Sequence, residues 1–229
     1  MDPAEAAHPI VLGRLTEAHG EVTLRRRGEV VELIVDGGFA MDTTDTSTER
    51  ALATSAIQAL TGDHLHVVVG GLGLGFTLAA ALSEARVRQV HVVELSAGVV
   101  DWVASGLVPE TAGALHDPRV TVTVGDVRDV VPALPAGGAD AVLLDLDNGP
   151  DFLLHPANAT VYGEAFLTAA VRALRPGGVL AVWSAETSAA LRAGLAATAG
   201  RVSEVRHRVL RDGRSLEYTI YLGHRDPRG

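Results

Sequence analysis

The chain has 229 residues, of which 47% are hydrophobic and 21% are charged. This length and composition predict one folded domain, with at most a small appendage, and exclude wholesale disorder. The chain contains no cysteine and no lysine, and its formal net charge is −9. The absence of cysteine thiols excludes disulfides and thiolate metal sites, and the absence of lysine amines excludes Schiff-base chemistry on a lysine. The negative charge argues against nucleic acid or an anionic membrane as a partner.

The sequence shows no recognisable targeting segment and no run that could span a membrane. Residues 1–9 carry acids and lack an apolar core, so they do not resemble a signal peptide. The longest apolar run, residues 67–82, contains four glycines and is too short to span a bilayer. We therefore expect no membrane partner and a cytoplasmic location.

The first 60 residues differ in character from the rest of the chain. Two strand-like runs, residues 21–27 and 29–35, flank Gly28, and this pattern predicts a β-hairpin. A polar loop follows, and Ser47 or Thr48 is a candidate N-cap for a helix that runs to Leu60. Residues 1–60 are therefore expected to form a small N-terminal β-hairpin and a helix.

Residues 61–229 show strands and helices in alternation. Strands are predicted at residues 64–69, 90–95, 120–124, 139–146 and 178–183, and helices at 76–85, 97–106, 127–134, 157–174 and 187–199. The strands are runs of Val and Leu, which is typical of a parallel sheet covered by helices on both faces. Two further strands, 202–210 and 216–222, flank a turn. We predict an α/β fold with a doubly wound, mostly parallel seven-stranded sheet that ends in an antiparallel hairpin.

Four glycines follow the first strand of this larger region, namely Gly70, Gly71, Gly73 and Gly75. They precede a helix, where missing side chains let a ligand approach the backbone and its free N–H groups. The dinucleotide-binding spacing is not met, because Phe76 stands at the position of its last glycine. The turn therefore indicates a ligand site of another kind, and the alternative is a tight strand–helix turn without a ligand.

Acidic residues end the next two strands. Open α/β sheets bind ligands at the carboxyl ends of their strands. Glu94, which Leu95 follows, is placed to accept hydrogen bonds from both hydroxyls of a ribose. Asp126, which Val127 follows, is suited to cap the next helix, to accept a hydrogen bond from an adenine amino group, or to do both. Together with the glycine turn, these acids predict a nucleoside site.

Asp145 and Asp147 follow the fourth strand and point to the same side if the strand continues through them. Acids at the mouth of a sheet are candidates for catalysis or for binding an ammonium group. One alternative is a loop of turn-forming residues. Another is a Mg²⁺ site completed by Asn148, which is disfavoured because three ligands within four residues are cramped, so we expect no metal.

Several segments together resemble class I S-adenosylmethionine-dependent transferases, and within them the spermidine synthase-like family: residues 35–37, 67–75, 93–100, 117–120, 125–126, 139–145 and 174–180. The resemblance implies a Rossmann-like methyltransferase fold over residues 61–229. It also implies a donor that is S-adenosylmethionine or its decarboxylated form, and a homodimer. The donor-binding residues that it implies are Gly70, Gly71, Gly73, Gly75, Glu94, Leu95, Asp126, Val127 and Asp145. Asp145 stands at the position of the family's catalytic aspartate, and Asp147 replaces a second acid of that loop.

Several positions depart from the family pattern. Spermidine synthases carry an aspartate inside the glycine loop, where Gly73 stands here. That aspartate binds the amine of the decarboxylated donor and disfavours a donor carboxylate by repulsion of like charges. The family's glutamine and tyrosine of the diamine pocket fall near Ala40 and Glu49. Ordinary S-adenosylmethionine should therefore be accepted, while the diamine pocket is mostly not reproduced.

These observations predict a transferase that moves a methyl group from S-adenosylmethionine to a small-molecule acceptor. Asp145 would take a proton from the acceptor or orient it, with help from Asp147. Tyr162, Trp183 and His155 are weaker candidates for the acceptor pocket. Transfer of an aminopropyl or aminocarboxypropyl group is the main alternative, and a non-catalytic nucleoside-binding protein is the second.

Overall fold

The computed structural model describes residues 8–146, 149–150, 153, 155–211 and 214–227. A four-stranded antiparallel meander comes first, consisting of β1 (Ile10–Glu17), β2 (Gly20–Arg27), β3 (Val30–Val35) and β4 (Gly38–Asp42). The predicted hairpin is the β2–β3 pair. The sequence did not predict β1 and β4, because β1 exposes about as much of one face as of the other and lacks the alternation of a half-buried strand.

The second sheet contains seven strands. Five of them are parallel: β5 (Leu65–Gly70), β6 (Val87–Glu94), β7 (Val120–Val124), β8 (Ala139–Leu144) and β9 (Leu174–Ser184). The other two, β10 (Arg201–Arg211) and β11 (Arg214–His224), form an antiparallel hairpin that pairs with β9 through β11. The strand order is β10-β11-β9-β8-β5-β6-β7. The predicted doubly wound, mostly parallel sheet with a terminal hairpin is confirmed.

Six α-helices lie in the described parts of the chain: α1 (Ser47–Gln58), α2 (Phe76–Ser83), α3 (Ala97–Ala104), α4 (Val127–Ala133), α5 (Glu164–Ala173) and α6 (Ala189–Ala199). None of these helices is both long enough and apolar enough to cross a bilayer. The helix predicted over residues 157–174 is instead a 3₁₀ helix, Pro156–Tyr162, followed by α5. Gly163 separates the two because its backbone is extended rather than helical.

Helices cover both faces of the seven-stranded sheet. On one face, Leu52 of α1 and Leu78 of α2 belong to the same buried cluster as Val67 of β5. On the other face, Val68 belongs to a cluster with Leu167 of α5. Successive strand residues point to opposite faces, so burial on both faces explains why the strands are continuous apolar runs.

The N-terminal sheet packs against α3 through small residues. The backbone of Gly13 in β1 lies so close to the indole of Trp102 that a side chain at this position would overlap the ring. Gly98 in α3 accommodates Leu15 in the same way. These contacts fix the turn between β1 and β2 beside the carboxyl ends of the parallel strands.

Candidate active site

A cleft opens at the carboxyl ends of β5, β6, β7 and β8, where an open α/β sheet is expected to bind ligands. With its open mouth and the solvent in it, the cleft encloses about 1100 Å³. Seven of the residues predicted to bind the donor line it: Gly71, Gly73, Glu94, Leu95, Asp126, Val127 and Asp145. Four separate strand ends therefore contribute to one cavity, called the donor cleft below.

The glycine turn brings the backbone of β5 against the end of β8. Gly71 has a φ of +87°, and a side chain there would overlap the carbonyl oxygen of Asp145. Two other glycines shape the turn without lining the cleft. Gly70 packs against Val127, and Gly75 adopts the left-handed conformation at the N-terminus of α2. Glycine is therefore needed in this turn for three reasons: the close packing of β5 against β8, the left-handed backbone conformation, and the exposure of the backbone to the cleft.

The carboxylate of Glu94 is held at the end of β6 by the backbone of the turns around it. Its Oε2 accepts a hydrogen bond from the Leu72 N–H at 2.7 Å, and its Oε1 accepts one from the Ser96 N–H at 2.9 Å. Burial raises the pKa of Glu94, and the hydrogen bonds from Ser96 and Leu72 oppose this effect. An ionised carboxylate has about four acceptor sites, so this fixed group can still accept hydrogen bonds from a ligand. The arrangement fits the ribose of a nucleoside.

Asp126 performs the structural role that the sequence allowed for it. It is the N-cap of α4, and its Oδ1 accepts a hydrogen bond from the Arg128 N–H at 2.8 Å. The Arg128 side chain also pairs with both carboxylate oxygens. The hydrogen bond from this guanidinium lowers the pKa of Asp126, which stays ionised. Its carboxylate lines the donor cleft in this paired state, where a contact with adenine remains a prediction.

Asp145 lies across the glycine turn from Glu94. Its Oδ2 accepts a hydrogen bond from the hydroxyl of Thr77 in α2 at 2.6 Å. Burial raises the pKa of Asp145 to about 6, although the Thr77 hydrogen bond acts in the opposite direction. A carboxylate with this pKa is ionised at neutral pH yet can take up a proton readily, as general-base chemistry requires. Asp147 and Asn148 lie outside the described residues, and with them the second predicted catalytic acid and the magnesium alternative.

Strand β4 covers the glycine turn with a thioether, which the sequence did not predict. The sulfur of Met41 accepts a hydrogen bond from the Leu74 N–H at 3.3 Å. A Cβ built at Gly73 would lie 2.6 Å from this sulfur, so an aspartate cannot fit there unless Met41 moves. At the other side, His19 in the β1–β2 turn also lines the donor cleft. Both residues reach the cleft only because the N-terminal sheet packs against the larger one.

A second cavity adjoins the donor cleft and, with its open mouth, encloses about 1230 Å³. It lies between β4, the start of α1, the end of β9 and the C-terminal hairpin. Four residues line both cavities: Ala40, Met41, Glu49 and Trp183. This second cavity therefore lies beside the donor cleft, and the four shared residues form the wall between them.

The described residues lining the second cavity include five acids and no base, the acids being Asp42, Asp45, Glu49, Glu186 and Glu217. Glu217 forms ion pairs with Arg206 and Arg208 of β10 at 3.4 Å and 3.3 Å, which partly compensate its charge. Acids therefore outnumber bases among the described residues that line this cavity. This property could not be read from the sequence, because the five acids come from four separate segments of the chain.

Trp183 forms the aromatic part of the shared wall. Its ring stacks on Tyr218 with a centroid distance of 5.3 Å. Its indole N–H is buried and finds no hydrogen-bond partner in the described part of the structure. Of the other two acceptor-pocket candidates, His155 lines the donor cleft, and Tyr162 is absent from the described lining of both cavities. No three His, Asp or Glu side chains among the described residues are grouped closely enough to hold a metal ion.

Comparisons of sequence agree with this geometry. The model of the spermine/spermidine synthase domain matches residues 33–195. A polyamine aminopropyltransferase of Mycobacterium tuberculosis is 33% identical over 178 residues, which is 77% of this chain and 33% of the relative. Putrescine N-methyltransferase 1 of Nicotiana tabacum is 36% identical over 114 residues, or 50% of this chain and 28% of the relative. The chain thus spans about a third or less of the length of these curated relatives.

Comparisons of structure give the same fold. A spermidine synthase crystallised with the transition-state analogue AdoDATO has a TM-score of 0.75 and 16% identity, over 95% of this chain and 73% of that one. The spermidine synthase of Thermotoga maritima has a TM-score of 0.74 and 16% identity, over 95% and 74% of the two chains. These likenesses confirm the fold, and the domain match extends from β3 into α6, across the donor cleft. The chain belongs to the spermine/spermidine synthase family.

Proposed function

We propose that this chain transfers the methyl group of S-adenosylmethionine to a small amine. The observation that carries the proposal is the Glu94 carboxylate, fixed by two backbone N–H groups at the end of β6 and facing the donor cleft. A carboxylate at this position of a doubly wound sheet is suited to bind the two hydroxyls of a ribose. The names of two relatives, which specify polyamine and putrescine, support an amine as the acceptor.

The choice of donor rests on the surroundings of Gly73. In this chain the sulfur of Met41, a neutral group, stands beside the glycine turn where an acid would repel a donor carboxylate. Among the residues that the structure describes, none beside Gly73 therefore selects against the amino-acid end of S-adenosylmethionine. This feature supports methyl transfer over aminopropyl transfer.

The residues of the cleft have distinct roles in this reaction. S-adenosylmethionine, when bound, supplies a methyl group already activated by its positively charged sulfur. Glu94 binds the ribose, and the glycine turn leaves the backbone accessible. Asp145 accepts the proton that the attacking nitrogen releases as the N–C bond forms and the electron pair of the C–S bond returns to sulfur. Because its pKa is about 6, Asp145 can pass this proton to solvent at neutral pH.

Aminopropyl transfer from the decarboxylated donor is the second candidate. The 33% identity to a polyamine aminopropyltransferase over 77% of this chain favours it. The two reactions break different bonds at the same sulfur and leave different nucleosides. Methyl transfer leaves S-adenosylhomocysteine, and aminopropyl transfer leaves methylthioadenosine.

Mass spectrometry of the nucleoside product separates the candidates. The protein is incubated with each sulfonium donor in turn, together with butane-1,4-diamine or spermidine. We expect S-adenosylhomocysteine and a methylated amine from S-adenosylmethionine. Methylthioadenosine from the decarboxylated donor would instead establish aminopropyl transfer. Calorimetric binding of a donor with no product from any amine would leave a nucleoside-binding protein, and activity that persists in EDTA would exclude a required metal.

A further inference from the structure

Glu49 lies in the wall between the two cavities. Four described residues line both cavities, and Glu49 is the one among them with a titratable side chain. Its side chain is therefore placed to act on a molecule at the boundary of the two cavities. Its neighbours in the shared wall are the thioether of Met41 and the indole of Trp183, neither of which carries a charge.

The side chain of Glu49 is held rather than free to move. The residue is only 9% exposed, and its Oε2 accepts a hydrogen bond from the Thr48 hydroxyl at 2.7 Å. Its backbone carbonyl lies 3.2 Å from the Thr77 hydroxyl, the group that also contacts Asp145. Glu49 and the proposed proton acceptor, Asp145, are therefore linked through one side chain.

A structural explanation accounts for only part of this arrangement. Glu49 lies in the first turn of α1, three residues after the N-cap Thr46, where an acid interacts favourably with the helix dipole. The hydroxyl of Thr46 makes no capping hydrogen bond. An acid that only stabilised the helix could face solvent, and burial between two cavities adds the cost of desolvating its charge. That cost indicates a role beyond the helix.

The acids of the second cavity and the indole of Trp183 both favour a ligand at the boundary of the two cavities. Acids predominate among the described residues of the second cavity, and such a cavity concentrates cations. The unpaired indole N–H of Trp183 is a group that native structures rarely leave without an acceptor. It therefore points to an occupant, or an ordered water that accompanies one, at the boundary that Glu49 shares.

We propose that Glu49 is the specificity-determining residue for the acceptor, binding a protonated amino group of the acceptor at the boundary of the two cavities while a second, unprotonated nitrogen attacks the donor. This role rests on the proposed transfer and adds to it the group that distinguishes amines from neutral nucleophiles. A carboxylate at this position forms a charge-assisted hydrogen bond with an ammonium ion, and an alcohol of the same shape gains much less.

Calorimetry with a matched pair of ligands tests this role. Butane-1,4-diamine and its neutral isostere butane-1,4-diol are titrated into the protein, both alone and saturated with S-adenosylhomocysteine. We expect the wild-type protein to prefer the diamine, and Glu49→Gln to lower diamine affinity by at least about tenfold. Affinity for the diol and for S-adenosylhomocysteine should change less than about twofold. Glu49→Asp, which keeps the charge, should restore part of the diamine affinity.

Glu110→Gln is the matched control, because Glu110 is exposed and contributes to neither cavity. Unchanged diamine affinity in Glu49→Gln, or equal affinity of the wild type for diol and diamine, would overturn the proposal. An equal loss of S-adenosylhomocysteine would overturn it too, because Glu49 would then act on the donor. A wild-type protein that binds no nucleoside would refute the proposed function instead, and the titrations without nucleoside would still decide the role of Glu49.

Discussion

The donor cleft and the second cavity share a wall but are built in different ways. The donor cleft collects residues that each stand at the end of a parallel strand, and the carboxylate of Glu94 is fixed by backbone N–H groups. The second cavity forms between β4, α1 and the C-terminal hairpin, and its acids come from a strand, a helix, the hairpin and the loops between these elements. One sheet topology thus determines the donor cleft, whereas the second cavity depends on how separate segments pack. Substitutions of donor-cleft residues outside the shared wall should therefore leave amine binding in the second cavity intact.

Asp145→Asn should produce the largest effect, because it removes the proposed proton acceptor from the cleft. We expect kcat/KM to fall by about 10²- to 10⁴-fold, the usual contribution of general-base catalysis. Steady-state kinetics with the donor and amine identified by mass spectrometry provide the measurement. Affinity for butane-1,4-diamine, measured by calorimetry, should stay within about threefold of wild type. Full turnover in this variant would remove Asp145 from the mechanism.

The pH dependence of the same variant sharpens this test. The folded-state pKa of Asp145, about 6, lies above its ordinary value of 3.8, so the folded protein holds this proton more tightly than the unfolded chain. Its contribution to the free energy of unfolding therefore falls as pH rises from about 4 to about 6, and is constant above that range. Wild-type activity should rise with a midpoint near pH 6, where Asp145 ionises in the folded protein. In Asp145→Asn, neither the free energy of unfolding nor the activity should show this pH dependence. Urea titrations at several pH values and pH–rate profiles provide the two measurements.

Glu94→Ala should produce the next largest effect. Loss of the fixed carboxylate removes the charge-assisted hydrogen bonds proposed to bind the ribose, and we expect affinity for S-adenosylhomocysteine to fall about 100-fold. Calorimetry measures this directly, with Glu110→Ala as the control. Diamine affinity should not change, because Glu94 lines the donor cleft and does not line the second cavity. Donor affinity equal to that of the wild type would break the assignment of the cleft to a nucleoside.

The glycine turn allows a smaller but well-matched test of how the donor cleft is built. Gly71 and Gly62 share a φ of +87°, but a side chain at Gly71 would overlap the Asp145 carbonyl, and one at Gly62 would meet nothing within 4 Å. Gly62→Ala should cost about 1 kcal/mol of stability from backbone strain alone. Gly71→Ala should cost at least about 2 kcal/mol more, because the overlap adds to the strain. Equal losses in thermal or urea unfolding would show that β5 and β8 are not pressed together at this point.

The sequence predicted the parts of the molecule that are encoded locally. The five parallel strands could be recognised from their Val- and Leu-rich runs and the terminal hairpin from its turn. Gly71, Glu94 and Asp145 could be placed because each lies at the end of such a run. Met41 and Glu49 gave no comparable signal, because their roles arise only when β4 and α1 pack over the glycine turn. The first 60 residues showed this limit most clearly. Their central hairpin was predicted, whereas β1 and β4 depend on tertiary contacts.

The placement of the two tryptophans has a practical consequence. Trp102 packs against the N-terminal sheet at Gly13, and Trp183 forms part of the wall between the cavities. The tryptophan fluorescence of the chain therefore comes from one indole at the junction of the sheets and one in the wall between the two cavities. A Trp102→Phe variant would leave a single emitter whose intensity reports occupancy, so that binding of each ligand could be followed by stopped flow without a label.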